Sequence, residues 1–597
     1  MSAAFMGYGY YNMPTEADYT HLSNWSATRH VRTHNSLIHH PSSLEELEEI
    51  VAKAAKSGMK MRPVGSALSP NGIAFEELGM VQMALMDKVI SVDPEKMECT
   101  VEAGIRIDQL VEALRPYNLT LPNYASIREQ QVGGFTQVGA HGSGAAIAPA
   151  DEYVVAMKLV TPEMVTLDIG VDKDPHLFHL ARHAMGMLGI AAHLTLRLVP
   201  AHQLIERSFA TTPDHVARMH TTWLSTNRHL RYHWIPHTDT VVVTAANPVG
   251  SDQATAFEES VPRAARVAPG AEGKPLVERA AELLGLYQEL ASQHPKALPP
   301  LPDDFASSGI TYVTLRDRLY AVSPLDTPHV RRVNSAVASY HKNTPVCRVD
   351  WSDQILGFDC GGQQWVCEVA FQSGFEVAED AGADYAIQAP VAGEEAKEAS
   401  GSWSASIAHL LTRRQPPKSC LSTASVQRAT ALQNPTPDLV FISDLYQLIH
   451  DYQIPAHEPL EQRWTAPSAS PISAAYSNPR SGGRPVFCWV GIMQYLPTLE
   501  SGNEANEKER QAISQSFSAW RHMCGRHLWP AYGALEHWGK VEVPIDPMGR
   551  QRAAQRVKDR FGAAAVEEVG RWRGRVDPKG CLGNADVDAL WPIVKGG

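Results

Sequence analysis

The stretch ASIREQQVGGFTQVGAHGSG, residues 125–144, decides how this chain is read. It places five glycines, Gly133, Gly134, Gly139, Gly142 and Gly144, within twelve residues. Glycine loses the most backbone freedom on folding, so this run is a poor choice for a plain helix or strand. It makes sense where the backbone packs directly against a planar ring and a pyrophosphate. His141, in the same run, either bonds a ligand or caps the loop; the residues alone leave both open.

A second small-residue loop lies upstream, RPVGSALSPNG at 62–72. Its small side chains let the backbone approach a ligand, and successive N–H groups can form a nest for phosphate oxygens. An ordinary turn has the same composition. Between and around these loops the pattern alternates. SSLEELEEIVAKAAKSG (42–58) opens with a capping box, Ser43 and Glu46, and sets Leu44, Leu47, Ile50, Val51 and Ala54 on one helical face, with Gly58 as its stop. MKMRPV leads as a strand into the first loop. VISVDPEKMECTVEAG (89–104) reads as two strands around a turn, and Ile107, Leu110, Val111 and Leu114 mark a second amphipathic helix. YVVAMKLVTP (153–162) reads as a strand, and residues 174–200 as a helix, a glycine turn and a strand. The alternation is α+β. No G-x-G-x-x-G follows a strand, so a Rossmann nucleotide site is not supported.

The chain has 597 residues, too many for one core, and 44% are hydrophobic, as in an ordinary globular protein. After Pro200 longer runs are broken by Pro-rich linkers. The segment from Glu376 to about Pro437, rich in Ala, Ser, Glu and Pro, reads as a surface insertion, before helical periodicity returns at DLVFISDLYQLIHDY (438–452). The net charge of −12 disfavours nucleic acid and suits either simple solubility or a basic protein partner. The eight cysteines are scattered without a C-x-x-C, which argues against a zinc ribbon, an iron–sulfur cluster or a disulfide scaffold and favours free thiols. His176, His179 and His183 share a helix face, but without a fourth ligand they are weak grounds for a metal, and none is expected. No apolar run reaches the length of a membrane span, so a soluble or peripheral protein is expected. The opening residues, MSAAFMGYGYYNMPTEADY, are acidic and lack arginine, unlike a targeting segment.

Taken together, the two loops at this separation resemble the FAD-binding domain of the vanillyl-alcohol oxidase family, and within it the aldonolactone oxidoreductases, most closely the plant galactonolactone dehydrogenases. The likeness runs through SNWSATRH (23–30), RPVGSALSPNG, ASIREQQVGG, VGAHGSGA, DPHLFHLARH (174–183), IPHTDTVVV (235–243), WSDQILGFDCGGQQWV (351–366), EQRWTAPSASPIS (461–473), WVGIMQYLPT (489–498) and EHWGKVEVP (536–544). It lapses mainly in the 376–437 insertion and near Ser481.

The resemblance implies an α+β, two-domain, vanillyl-alcohol-oxidase-type architecture. It comprises an N-terminal extension (1–29), an FAD-binding domain (30–202), a substrate-binding cap (203–560) carrying the insertion, and a C-terminal segment (561–597) that rejoins the FAD domain. It implies FAD contacts from Arg62, Pro63, Val64, Gly65, Ser66, Ala67, Leu68 and Ser69. Further contacts fall to Ser126, Gln130, Gly133, Gly134, Gly139, His141, Gly142, Gly144, Gly189 and Ile190. His537 and Lys540 complete the set; Lys540 there either stabilises negative charge on the reduced flavin or is a solvated surface lysine. Many relatives carry a flavin-bonded histidine where this chain has Leu68, so the FAD is expected to be non-covalent. Ala125 matches an alanine that crowds the flavin and keeps oxygen away, where oxidase relatives have glycine. Glu461 and Arg463 match the lactone-binding pair: Arg463 is suited to stabilising the oxygen charge that develops as hydride leaves, and Glu461 to accepting bonds from sugar hydroxyls. Cys360 matches an oxidation-sensitive thiol near the substrate. The implied reaction is oxidation of L-galactono-1,4-lactone to L-ascorbate, with cytochrome c as acceptor. The implied location is the mitochondrial inner membrane facing the intermembrane space, and the implied partners include respiratory complex I assembly intermediates. An oxygen-using aldonolactone oxidase and a flavin-loaded assembly scaffold are the rival readings.

Overall fold

The computed structural model describes residues 16–594 apart from 253, 256–265, 268–275, 303–309, 379–386, 389–435, 481, 501 and 545. Nearly all of the 376–437 insertion therefore lies outside the described residues.

The first helix, Leu44–Ser57, begins as its sequence dictates. Ser43 Oγ accepts from the Glu46 N–H, and Gly58 ends the helix at φ 71°. The Glu46 carboxylate caps one residue earlier than a simple box, accepting from the Ser42 N–H at 2.7 Å. Leu47, Val51 and Ala54 are buried against an antiparallel five-stranded sheet and its neighbours. That sheet runs in the order Val165–Gly170, Val154–Thr161, Ile190–Arg197, Glu98–Glu102, Val89–Asp93. Beside it a small parallel sheet joins Ile38–His39, Met80–Gln82 and Arg62–Val64. One departure from the sequence reading stands out. Gly133 and Gly134 lie within a short helix, Val132–Gln137. Its Gly133 N–H donates to the Ala103 carbonyl at 2.7 Å, and an added Cβ would sit 3.0 Å from that same oxygen. Close packing therefore outweighs helix propensity at Gly133.

The second unit is a ten-stranded sheet. Its central strands run Gln203–Thr211, Val241–Pro248, His229–Trp234, Leu460–Thr465, Pro485–Tyr495, Gln364–Val377, each pair antiparallel. Side chains alternate between its faces. Tyr232, Val241, Val243, Leu460 and Trp464 join a core with the helices Pro437–Asp451 and Glu504–His527. Val242, Met493 and Tyr495 point the other way, into a core with helices Ala281–Gln293, Tyr312–Tyr320 and Thr327–Lys342.

The C-terminal part packs into the first core through Trp538, Val541, Val557, Val569, Leu582 and Trp591. Polar bonds fix it there. The Met61 N–H donates to the Cys581 carbonyl, and the Asn584 amide donates to the carbonyls of Gly72, Ile73 and Phe75. Residues more than five hundred apart in sequence thereby shape the first glycine-containing loop.

Candidate active site

Two adjacent regions emerge. The first is a cleft enclosing about 990 Å3, counting space open to solvent. Arg62, Pro63, Val64, Gly65, Ser66, Ala67, Leu68 and Ser69 form one wall, and Gln130, Gly133, Gly134 and Ile190 belong to another. The cleft suits FAD. Its walls are mostly small or apolar, a Cβ at Gly134 would meet nothing within 4 Å, and the amide oxygens of Gln130 and Gln131 are buried without a protein partner. Such acceptors match the N–H and O–H groups of a dinucleotide. Arg62 contributes differently from its neighbours. Its guanidinium donates to the carbonyls of Ile73 (2.9 Å), Leu582 (2.5 Å) and Met185, so it builds the wall rather than reaching into the cleft. Burial lowers its pKa to about 10.

The remaining residues implied for FAD do not line this cleft. Gly139 lies against the His183 ring, which a Cβ would meet at 2.1 Å, and its φ is 62°. Gly189 is similarly crowded by Leu159. The Gly144 N–H donates to the Trp464 carbonyl at 2.9 Å, joining the glycine run to the large sheet. Ser126 and Gly142 sit nearer the second region, where His141, His537 and Lys540 meet residues of the sheet.

Strand alternation creates that second region. In Leu460–Thr465, Leu460, Gln462 and Trp464 are buried on the helical side, which leaves Glu461 and Arg463 on the face toward the glycine run. The centre of the region is Glu368, 1% exposed. One oxygen takes the Arg463 Nη2 at 2.7 Å; the other takes Lys540 Nζ at 2.5 Å and lies 3.2 Å from His141 Nε2. The His141 ring stacks on Trp489 with centroids 3.9 Å apart. Glu461 lies 3.3 Å from Arg463 and 3.5 Å from His233 Nε2. Two carboxylates thus balance two permanent cations, which a buried cluster requires. Burial alone would raise the Glu368 pKa, but Lys540, Arg463 and His141 outweigh it and hold the carboxyl well below its usual range. Glu461 is held at about 2, against the pull of burial, by Arg463 and His233. Burial lowers the pKa of His141 and, further, of His537, which favours neutral imidazoles.

Ala125 is half-buried beside Tyr124 and packs on the first core. The neighbouring Ser126 carbonyl accepts from the Phe358 N–H, and its side chain bonds Cys360, so the two loops meet. Burial pushes the Cys360 thiol up, keeping little of it as thiolate at neutral pH. The three helix-face histidines part company: His176 bonds Glu568 at 2.6 Å, and His183 faces Asp151 at 3.3 Å. Sequence reasoning missed Glu368, His233 and Trp489. Only Glu368 carried a signal, a carboxylate inside the apolar run Val366–Phe371.

Comparison with known proteins bears on this arrangement. Residues 36–169 match the model of an FAD binding domain family, and 194–266 that of D-arabinono-1,4-lactone oxidase. The crystal structure of cholesterol oxidase from B. sterolicum aligns with a TM-score of 0.59 over 99% of this chain and 100% of that one. Identity there is 13%, so the likeness is one of fold. The fold and these matches define an FAD-dependent aldonolactone oxidoreductase of vanillyl-alcohol-oxidase type. L-galactono-1,4-lactone dehydrogenase 2, mitochondrial, of Oryza sativa subsp. japonica is 40% identical over 98% of this chain and 85% of its own length, and the Arabidopsis thaliana enzyme is 38% identical over 97% and 82%. The chain belongs to the L-galactono-1,4-lactone dehydrogenase family.

Proposed function

We propose that this protein oxidises L-galactono-1,4-lactone to L-ascorbate and passes the electrons to cytochrome c. The observation that carries the reading is the Glu461–Arg463 pair, fixed from behind by Glu368 on a face that meets the glycine run. When bound, FAD supplies the hydride acceptor. The protein's own part is positioning and charge. Arg463 keeps its charge throughout, and its Nε is buried without a protein partner, leaving a donor for the substrate oxygen. Glu461, ionised at working pH, accepts from the sugar hydroxyls. The Glu368 clamp fixes the guanidinium, so little reorganisation is needed as charge develops.

Non-covalent FAD is supported by the cleft wall, which holds no histidine, cysteine or tyrosine among the described residues and carries Leu68 in the first loop. Cytochrome c as acceptor, the intermembrane-space face of the mitochondrial inner membrane, and a partnership with complex I assembly intermediates belong to the same reading. It is supported by the net charge of −12 and by relatives named mitochondrial. No helix among the described residues is long and apolar enough to cross a membrane.

Turnover on a panel of lactones, with cytochrome c and with oxygen as acceptors, tests the assignment. Arg463→Ala should lower kcat, and Glu461→Gln should raise KM, each by about ten- to a hundredfold, the worth of a hydrogen bond to a charged group. Ala125→Gly should speed reoxidation by oxygen while largely preserving cytochrome c reduction, because one methyl can close a passage in a tightly packed interior. Normal kinetics in both substrate-site variants would place the site elsewhere. Fast oxygen reaction in the unmodified enzyme favours the oxidase reading.

A further inference from the structure

Arg231 lies directly opposite Arg463 in the register of strands His229–Trp234 and Leu460–Thr465. Like charges facing each other across a strand pair destabilise a sheet, so two arginines here call for a reason. Packing does not supply one. Among the described residues the Arg231 side chain makes no hydrogen bond or ion pair, and its Nε is buried without a partner. Glu206, which lines the same cavity as Arg231, is bonded by Arg348 at 2.8 and 3.0 Å. What does hold Arg231 is the Phe358 ring, with the guanidinium carbon 4.0 Å from its centroid. Stacking of this kind fixes the plane of the group while leaving its N–H edges free. Arg231, Arg463, Phe358 and Gly142 line one small polar cavity. Burial disfavours the charge on Arg231, and Glu461 and Glu206 offset that through space.

We propose that Arg231 is a second oxygen-binding cation of the substrate site and a determinant of lactone specificity. Its guanidinium takes the ring carbonyl oxygen of an aldonolactone, beside the adjacent oxygen taken by Arg463. The inference rests on the lactone-oxidising reading above and deepens it. Hydride passes from the second carbon to the flavin and the hydroxyl proton there is released; the resulting 2-keto lactone enolises, and ionisation of its 3-hydroxyl leaves a negative charge shared between that oxygen and the ring carbonyl oxygen. Arg231, facing the carbonyl oxygen, favours that charge as it forms and also binds the product. A polyol without a carbonyl offers Arg231 only neutral hydroxyl oxygens, which gain no charge of this kind in the reaction, so it is bound and turned over less well.

The test uses the flavin-loaded full chain with Arg231→Gln and Arg231→Lys. In Arg231→Gln, KM for L-galactono-1,4-lactone should rise roughly ten- to a hundredfold. The inhibition constant of ascorbate should rise at least as much, while flavin content and Tm hold. Arg231→Lys, which keeps the charge but not the planar fork, should fall between the two. Millimolar guanidinium should restore part of the activity of Arg231→Ala, which a merely structural role would not allow. Unchanged KM and unchanged ascorbate inhibition in Arg231→Gln overturn the proposal. If that variant does not load flavin, Arg231→Lys decides: wild-type constants there also overturn it. An unmodified enzyme that fails to reduce its flavin with the lactone instead defeats the reading beneath.

Discussion

At the scale of single residues, the site is a charge-balanced cluster whose stability depends on pH in one direction. Glu461 has its pKa lowered from 4.5 to about 2, with burial opposing the shift and Arg463 and His233 driving it. A carboxyl depressed in the folded state adds stability above its unfolded pKa, and that contribution is lost as pH falls through the folded value. The window is therefore roughly pH 4.5 down to 2, and a shift of this size is on the order of 3 kcal/mol. Glu368 adds in the same direction. Urea midpoints measured at pH 5, 4 and 3 should fall steeply for the wild type and less steeply for Glu461→Gln. Parallel slopes would show that the carboxylate does not titrate as argued. The residues differ in how far sequence foretold them. Glu461 and Arg463 sit two apart on a strand, so the alternation that exposes one exposes the other. Glu368 comes from a strand almost a hundred residues away, and only the sheet order brings it behind Arg463. His233 is likewise set by cross-strand pairing with Glu461, which no local pattern encodes.

At the scale of elements, local physics was enough where the signals were local. The cap at Ser43, the stop at Gly58, the two strands around the 93–98 turn and the helix beginning at Ile107 all stand where periodicity and turn chemistry put them. The Val132–Gln137 helix went unread because its two glycines argue against a helix, and tertiary contact with Ala103 decides it. The Arg62 strand shows the same limit. Its sequence reads as a strand leading into a loop, as observed, but nothing local shows that its guanidinium is held by carbonyls from three separate segments, one of them C-terminal. Arg62→Met should therefore strip the buried Leu582 and Met185 carbonyls of this donor, leave the Ile73 carbonyl with the Asn584 amide alone, and cost about 2–4 kcal/mol. Thermal unfolding should show a lowered midpoint, and flavin should dissociate more readily on dilution, with KM for the lactone largely unchanged in the fraction that retains it. A variant of wild-type Tm and flavin retention would show that water replaces the guanidinium and that Arg62 does not support the wall.

At the scale of the whole molecule, the two sheets are joined through the site itself. Glu368 reaches His141, Trp464 accepts from Gly144, and Ser468 donates to Asp151 at 2.6 Å, each a bond between the large sheet's segments and the first domain. A protein acceptor cannot enter such a junction and must take electrons from outside, where long-range charge governs encounter. The chain carries −12, and a basic acceptor, as cytochrome c is proposed to be here, would be drawn toward it. Salt screens that attraction within about 10 Å at 0.1 M. Stopped-flow mixing of lactone-reduced enzyme with cytochrome c should thus show a second-order rate that falls by on the order of tenfold between 10 and 150 mM salt, within the range that steering commonly contributes. Oxygen is uncharged, so its reaction with the same reduced enzyme should hardly change over that range, which separates an encounter effect from a general effect of salt on the flavin. A cytochrome rate indifferent to salt would falsify charge-steered docking and leave the acidic balance to solubility alone.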